Sequence, residues 1–111
     1  MNKKQFSING NLEIKPTETF IEHDIVKDDV VVGHVELCPE RHEISMLNIW
    51  TPYQNYGYGT RVIKELVKQG YTSLWVRSDN HRAIHVYEKC GFVKAETYMF
   101  EMRYVKVGDE T

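Results

Sequence analysis

The run Ile49-Trp50-Thr51-Pro52-Tyr53-Gln54-Asn55-Tyr56-Gly57-Tyr58-Gly59-Thr60 carries two alternate glycines between an apolar stretch and an amphipathic one. A strand, a glycine loop and a helix start in immediate succession can make an anion site. Glycine lets the backbone curl until successive N–H groups point inward, and the helix N-terminus adds unpaired donors and the positive end of its dipole. Both Gly57 and Gly59 are expected to serve a positive φ or a close backbone approach. Several converging donors suit a diphosphate better than a single carboxylate. The same order also describes an ordinary tight connection, so the loop by itself leaves both readings open. Two other phosphate motifs are excluded: Val62 stands where a dinucleotide fingerprint needs its third glycine, and no Gly-Lys-Ser/Thr follows.

Other reactive side chains are sparser. His81 and His85 sit at i, i+4, a spacing that can hold zinc, but no third or fourth ligand is evident nearby, and no metal is assigned. Trp50, Tyr53, Tyr56, Tyr58 and Trp75 could stack on nucleic-acid bases. Against that, 14 Lys plus Arg and 16 Asp plus Glu leave a net charge of −2. With no basic surplus, nucleic acid is not an expected partner, and the aromatics are read as core or pocket wall. Arg61 and Lys64 either add charge for an anion or are ordinary solvated residues. Cys38 and Cys90 form no CxxC pair and are read as reduced and partly buried.

The elements that must position these residues follow from hydrophobic period. A chain of 111 residues, 41% of them hydrophobic, is expected to be one domain over 1–111 with one real core. No apolar run approaches the ~20 residues of a membrane span, and the charged start MNKKQFSINGNLEIK lacks the apolar stretch of a signal peptide. The expected setting is the cytoplasm, with no membrane partner. Asn11 to Lys15, Thr19 to Val26 and Val30 to Cys38 read as strands, with Lys27-Asp28-Asp29 as a hairpin turn. Glu43 to Trp50 is a further strand, stopped at Thr51-Pro52. From Thr60 to Gln69, Val62, Ile63, Leu66 and Val67 share a helical face, and Gly70 follows. Thr72 to Arg77 is a strand. A second helix opens near Asp79-Asn80, puts Ala83, Val86, Tyr87 and Cys90 on one face, and ends at Gly91. Phe92 to Val107 closes the chain as one or two strands. The fold class is α/β (α+β).

Two segments together carry a resemblance. The loop Q-N-Y-G-Y-G matches the Q/R-x-x-G-x-G/A signature of the GNAT superfamily of N-acetyltransferases, and Asn80 to Phe92 is similar to its N-x-x-A-x-x-x-Y-x-K-x-G-F segment position for position. Val76, four residues before Asn80, stands where that family carries an apolar strand residue, and Phe100 to Arg103 resembles its closing strand. The likeness runs from about Glu43 to Tyr104. It implies a mixed, mostly antiparallel sheet with central splayed strands and two main helices, which are expected on both faces.

The same resemblance implies acetyl-CoA as co-substrate and direct attack of a primary amine on the thioester. Backbone N–H groups of Gln54, Asn55, Tyr56, Gly57, Tyr58, Gly59 and Thr60 would hold the pyrophosphate. Backbone groups around Leu47 and Ile49 would bond the pantetheine arm like another strand and supply the oxyanion donors. Asn80 would hydrogen-bond the arm from the far side, a role compatible with a plain N-cap. Tyr87 takes the tyrosine position beside the thioester sulfur, where a hydrogen bond to the departing thiolate suits it better than full proton donation. An alkyl amine near pKa ~10.4 faces about 4 kcal/mol of deprotonation at neutral pH, which a base can lower. Glu43 is the candidate base. It lies eleven residues before Gln54, where histone-acetylating members place a glutamate, and by simple alternation it shares a strand face with Leu47 and Ile49. His42, His34 and Glu36 are alternatives.

The family ordinarily carries two helices between its first two strands, and no amphipathic period precedes Glu43. Those helices wall the acceptor side, so their loss implies an open acceptor groove, or a homodimer that completes it, and room for a small-molecule, peptide or protein amine. The alternative function is an acyl-CoA-binding module or regulator without transferase activity.

Overall fold

The computed structural model describes residues 5–18, 21–94 and 100–104. Its strands are β1 (Phe6–Ile8), β2 (Leu12–Pro16), β3 (Glu22–Lys27), β4 (Val30–Cys38), β5 (Glu43–Ile49), β6 (Ser73–Val76), β7 (Phe92–Lys94) and β8 (Phe100–Tyr104), with helices α1 (Tyr58–Lys68) and α2 (His81–Lys89). They form one sheet in the order β1-β2-β3-β4-β5-β6-β8-β7, antiparallel throughout except for the β5–β6 pair and with β8 between β6 and β7.

Local chemistry accounts for the joints. The β3–β4 hairpin turns on Asp28 and Asp29 at φ 50° and 66°, the left-handed pair that a two-residue turn needs, with Asp28 held by Lys27 and the Asn11 amide. β1 was not expected from the sequence, being three residues long; it pairs with β2 across a turn containing Gly10 and Asn11. The strand expected from Thr19 begins at Glu22; Thr19 and Phe20 lie outside the described residues, as does the stretch after Tyr104 of the expected closing strand. α1 starts at Tyr58 rather than Thr60, directly after Gly57. Among the described residues no α-helix precedes α1, and none is long and apolar enough to cross a membrane.

Both helices lie on one face, which corrects the expectation of helices on both. The core is a single cluster: Leu12, Ile14, Ile25, Val35, Leu37, Ile44, Leu74, Val76 and Phe92 from the strands meet Val62, Ile63 and Leu66 of α1 and Tyr87 and Cys90 of α2. The β5–α1–β6 and β6–α2–β7 crossovers advance toward the same sheet edge, so a common right-handed sense puts both helices on the same side. The opposite face presents partly exposed Glu13, Lys15, Asp24, His34 and Glu36, with Met46 and Trp75 at 37% and 40% exposure.

A β-bulge in β5 controls which residues reach which face. Glu36 pairs with Met46 and Leu37 with Ile44, leaving Ser45 as the extra residue. Alternation is broken there. Ile44 is in the core and Leu47 and Ile49 pack against it, so these three share the helix face. Glu43, adjacent to Ile44, falls on the uncovered face, and the expectation that it shares a face with Leu47 and Ile49 is overturned.

Candidate functional site

β5 and β6 pair only at Glu43–Ser73 and Ile44–Leu74. The bulge at Ser45 comes at the point where pairing stops, and a bulge bends its strand. β4 holds the rest of β5, down to Gly33 opposite Ile49. Gly33 permits that closeness, since a Cβ there would lie 2.4 Å from the Asn48 carbonyl oxygen. β6, meanwhile, follows β8. The two strands therefore part into a wedge.

The wedge backbone is unsaturated on its open side. Trp50 N–H donates to the Val32 carbonyl at 2.9 Å, which makes Gly33–Ile49 a non-hydrogen-bonded pair. By alternation, the N–H and C=O of Ile49 and of Leu47 point away from β4 into the wedge. Gln54 already uses one of these groups, its side-chain amide donating to the Ile49 carbonyl at 2.7 Å.

A cavity of about 370 Å³ fills the wedge, lined by Leu47, Asn48 and Ile49 of β5, by Tyr53, Gln54, Asn55, Gly57, Tyr58, Gly59 and Thr60, and by Asn80, Arg82, Ala83, Val86 and Tyr87. That volume is in the range of ordinary small-molecule sites. A 3₁₀ turn, Thr51–Tyr53, carries the chain out of β5 and consumes the Gln54 N–H, which donates to the Thr51 carbonyl at 3.2 Å. Gln54 thus holds the loop rather than offering a free backbone donor. Asn55 and Gly57 adopt left-handed φ of 72° and 82° and swing the chain into α1. No side chain caps α1, and its first intrahelical bond runs from Arg61 N–H to the Gly57 carbonyl at 3.1 Å. The N–H groups of Tyr58, Gly59 and Thr60 are therefore the donors that the helix itself leaves over. Gly59 needs no left-handed φ, and a Cβ on it would make only an ordinary 3.7 Å contact with Ile49, so the conformational requirement rests on Gly57.

The other wall is α2. Asn80 Oδ1 accepts the Ala83 N–H at 3.2 Å, the expected N-cap, which leaves its amide NH₂ at the cavity. Tyr87 is 7% exposed, packs on Phe92 with ring centroids 6.4 Å apart, and lines the cavity. Burial pushes its phenol up to about 12, with the neighbouring Cys90 adding to the shift. Its hydroxyl is therefore protonated at neutral pH.

Several expected residues lie elsewhere. Glu43 is not part of the cavity lining; its carboxylate accepts from Ser45 Oγ at 3.2 Å and faces Arg41 at 3.4 Å. Tyr56 is 65% exposed and stacks on Tyr58 outside the lining. Arg61 donates to the Asn9 carbonyl in the β1–β2 turn, Lys64 is exposed, and neither lines the cavity. Trp50 and Trp75 are exposed rather than core or wall. His42 is exposed at the turn into β5. His34 and Glu36 meet Glu22 on the uncovered face, His34 Nε2 lying 3.6 Å and 3.8 Å from the two carboxylates. Four of the lining residues were not expected as site residues from the sequence: Ala83 and Val86 read as apolar helix positions, Asn48 as a strand residue, and Arg82 is the fourth. Arg82 was missed, although a cation two residues after an N-cap beside an anion loop is a usable signal.

A family model, the acetyltransferase (GNAT) family, matches residues 3–92. No curated protein matches the sequence. Among solved structures, Ard1 from Thermoplasma volcanium superposes with TM-score 0.61 at 20% identity, over 77% of this chain and 71% of that one. Naa50 from Arabidopsis thaliana, solved with the bisubstrate analogue CoA-Ac-MVNAL, gives 0.60 at 16% identity over 77% and 72%. The PaiA N-acetyltransferase from Thermoplasma acidophilum, solved with coenzyme A, gives 0.58 at 20% over 77% and 60%. At these identities the structures bear on the fold, and they share it. With its splayed strands, its glycine loop and a family match over most of its length, the chain belongs to the GNAT family of acetyltransferases.

Proposed function

We propose that the protein transfers an acetyl group from acetyl-CoA to a primary amine. The observation that carries this reading is the wedge cavity, which joins free helix-start donors at one end to a buried phenol on its wall. The diphosphate would sit on the N–H groups of Tyr58, Gly59 and Thr60. The pantetheine arm would run along the wedge edge of β5, bonding Leu47 and Ile49, with the Asn80 amide opposite.

The amine nitrogen then attacks the thioester carbon, a C–N bond forms, the C–S bond breaks, and the nitrogen loses a proton. From about 12, giving a proton to a thiolate near ~8.5 is uphill by about 5 kcal/mol, so Tyr87 acts as hydrogen-bond donor to the sulfur and not as the acid. Glu43 remains the proposed base, on revised grounds. It stands one residue from the apex of the wedge on the face no helix covers, so the amine would approach from that face while the coenzyme lies on the other. The acceptor is an amine on a small molecule or a peptide, and a second copy of the chain is the proposed wall for an acceptor side that lacks helices. The proposed compartment is the cytoplasm.

The test is release of free thiol from acetyl-CoA against a panel of amines and peptides, with mass spectrometry for the acetylated acceptor. Thiol release with acetylated product supports transfer. Coenzyme binding without turnover on any acceptor would favour the binding-module reading, and no coenzyme binding would remove both.

A further inference from the structure

A carboxylate that takes a proton from an incoming amine must be held with one oxygen turned toward it. The backbone of Glu43 is fixed on both sides. It pairs with Cys38 and with Ser73, and the carbonyl just before it, that of His42, accepts the Thr72 and Ser73 N–H groups at 2.9 Å and 3.2 Å. The Glu43 side chain is only 12% exposed, so little water is at hand to orient its carboxylate. Its two oxygens are held differently. Oε2 accepts the Ser45 hydroxyl at 3.2 Å. Oε1 lies 3.4 Å from Arg41 Nη2, longer than a charge-assisted hydrogen bond, and the Arg41 side chain is 67% exposed. Such a surface pair is worth little and yields readily to a competing donor. Ser45 is the extra residue of the β5 bulge, and it stands two residues after Glu43, on the same face.

We infer that Ser45 is a positioning residue for Glu43: its hydroxyl holds Oε2 and leaves Oε1 to receive the proton. This rests on the reading of Glu43 as the base. The acceptor's ammonium displaces Arg41 from Oε1 and passes one proton to it. The N–H bond breaks, the Oε1–H bond forms, and the nitrogen keeps the electron pair with which it attacks the thioester carbon. The second proton that the nitrogen sheds on becoming an amide ends on the departing thiolate, giving free thiol. Oε2 is then the carbonyl oxygen of a neutral carboxyl, and it still accepts from Ser45. One hydrogen bond thus serves both protonation states, and the hydroxyl need not move during the step.

The test is steady-state turnover of acetyl-CoA with the fastest amine of the panel above, in the whole chain and in Ser45→Ala, Ser45→Thr, Glu43→Gln and the Ser45→Ala/Glu43→Gln double variant, with thermal melts to check folding. At neutral pH Ser45→Ala should lower kcat/KM about ten- to a hundredfold, the worth of a hydrogen bond to a charged group. Much of the rate should return as pH approaches the amine's own value of about 10.4. Ser45→Thr keeps the hydroxyl and should keep most of the rate. In the Glu43→Gln background Ser45→Ala should change little, because a residue that acts through another has nothing left to act on. Coenzyme A titration should give Ser45→Ala the affinity of wild type. Wild-type turnover in Ser45→Ala overturns the inference, and so does a folded Ser45→Thr as slow as Ser45→Ala. A loss of equal size in both backgrounds, or weakened coenzyme binding, overturns it as well, since the hydroxyl would then serve the bulge and not the base. If wild type acetylates no amine, or Glu43→Gln turns over like wild type, the earlier reading fails first and the positioning with it. A slow Glu43→Gln beside a normal Ser45→Ala fails the positioning alone.

Discussion

Tyr87 is where packing and chemistry meet in one side chain. Tyr87 belongs to the core cluster and also lines the cavity, so Tyr87→Phe, which keeps the ring and removes the hydroxyl, separates packing from the proposed chemistry. Turnover should fall about ten- to a thousandfold, the cost of losing one transition-state hydrogen bond to developing charge, while acetyl-CoA affinity barely moves. Steady-state kinetics beside coenzyme titration would check this. The same residue predicts an alkaline signature. Its value is raised from 10 to about 12 by burial, so the unfolded chain ionises before the folded one. Its contribution is complete below pH ~10 and is lost as pH rises toward the folded value, by about 3 kcal/mol at most. Urea melts between pH 9 and pH 12 should show wild type declining more steeply than Tyr87→Phe. Two residues away in kind, Gly57 and Gly59 should behave differently. Gly57→Val must hold φ 82° and should lower coenzyme affinity tenfold or more, whereas Gly59→Ala meets only ordinary contact and should keep most of it. Equal effects at the two positions would contradict the assignment of the turn to Gly57.

At the scale of elements, the wedge depends on two irregularities in an otherwise regular ladder. The bulge at Ser45 returns Leu47 and Ile49 to the helix face, and Gly33 lets β5 lie flush on β4. A methyl group at Gly33 would collide with backbone, which cannot rotate away as a side chain can. Gly33→Ala should therefore cost about 1–3 kcal/mol by strain and overpacking, measurable as a lowered denaturation midpoint with unchanged slope. A variant as stable as wild type would show that β5 can yield there. The strands and helices themselves were largely legible, because they follow hydrophobic period: β4 spans Val30–Cys38 as expected, and α2 carries its Asn80 cap. β1 was not, since three residues contain too little period to detect.

For the molecule as a whole, the sheet has one face covered by helices and one uncovered. On the proposed reading the coenzyme takes the helix face, and the acceptor takes the face carrying Glu43, Ser45, His34 and Glu36. Glu43→Gln is the corresponding test of the base. At neutral pH it should lower kcat/KM by about 10²- to 10⁴-fold, and much of the rate should return as pH approaches the amine's own value near ~10.4. A defect equal at all pH values would mean that Glu43 serves structure through Arg41 and Ser45 instead. No defect would pass the role to a neighbouring base, His34 being the candidate on the same face.

The sequence by itself determined what short-range chemistry can express: the strand–loop–helix passage, the cap at Asn80 and the family signature, from which the proposed class of ligand follows. Which face each residue occupies was decided only in three dimensions. One extra residue at Ser45 inverts alternation, and a bulge leaves no mark in composition or period, so Glu43 was placed with Leu47 and Ile49 when it stands behind them. The side of the sheet taken by the helices likewise follows from the order of strands, which is a long-range property. Arg82 and Asn55 meet for the same reason. They are distant in the chain, and only the parting of β5 from β6 sets the loop and α2 on opposite walls of one cavity.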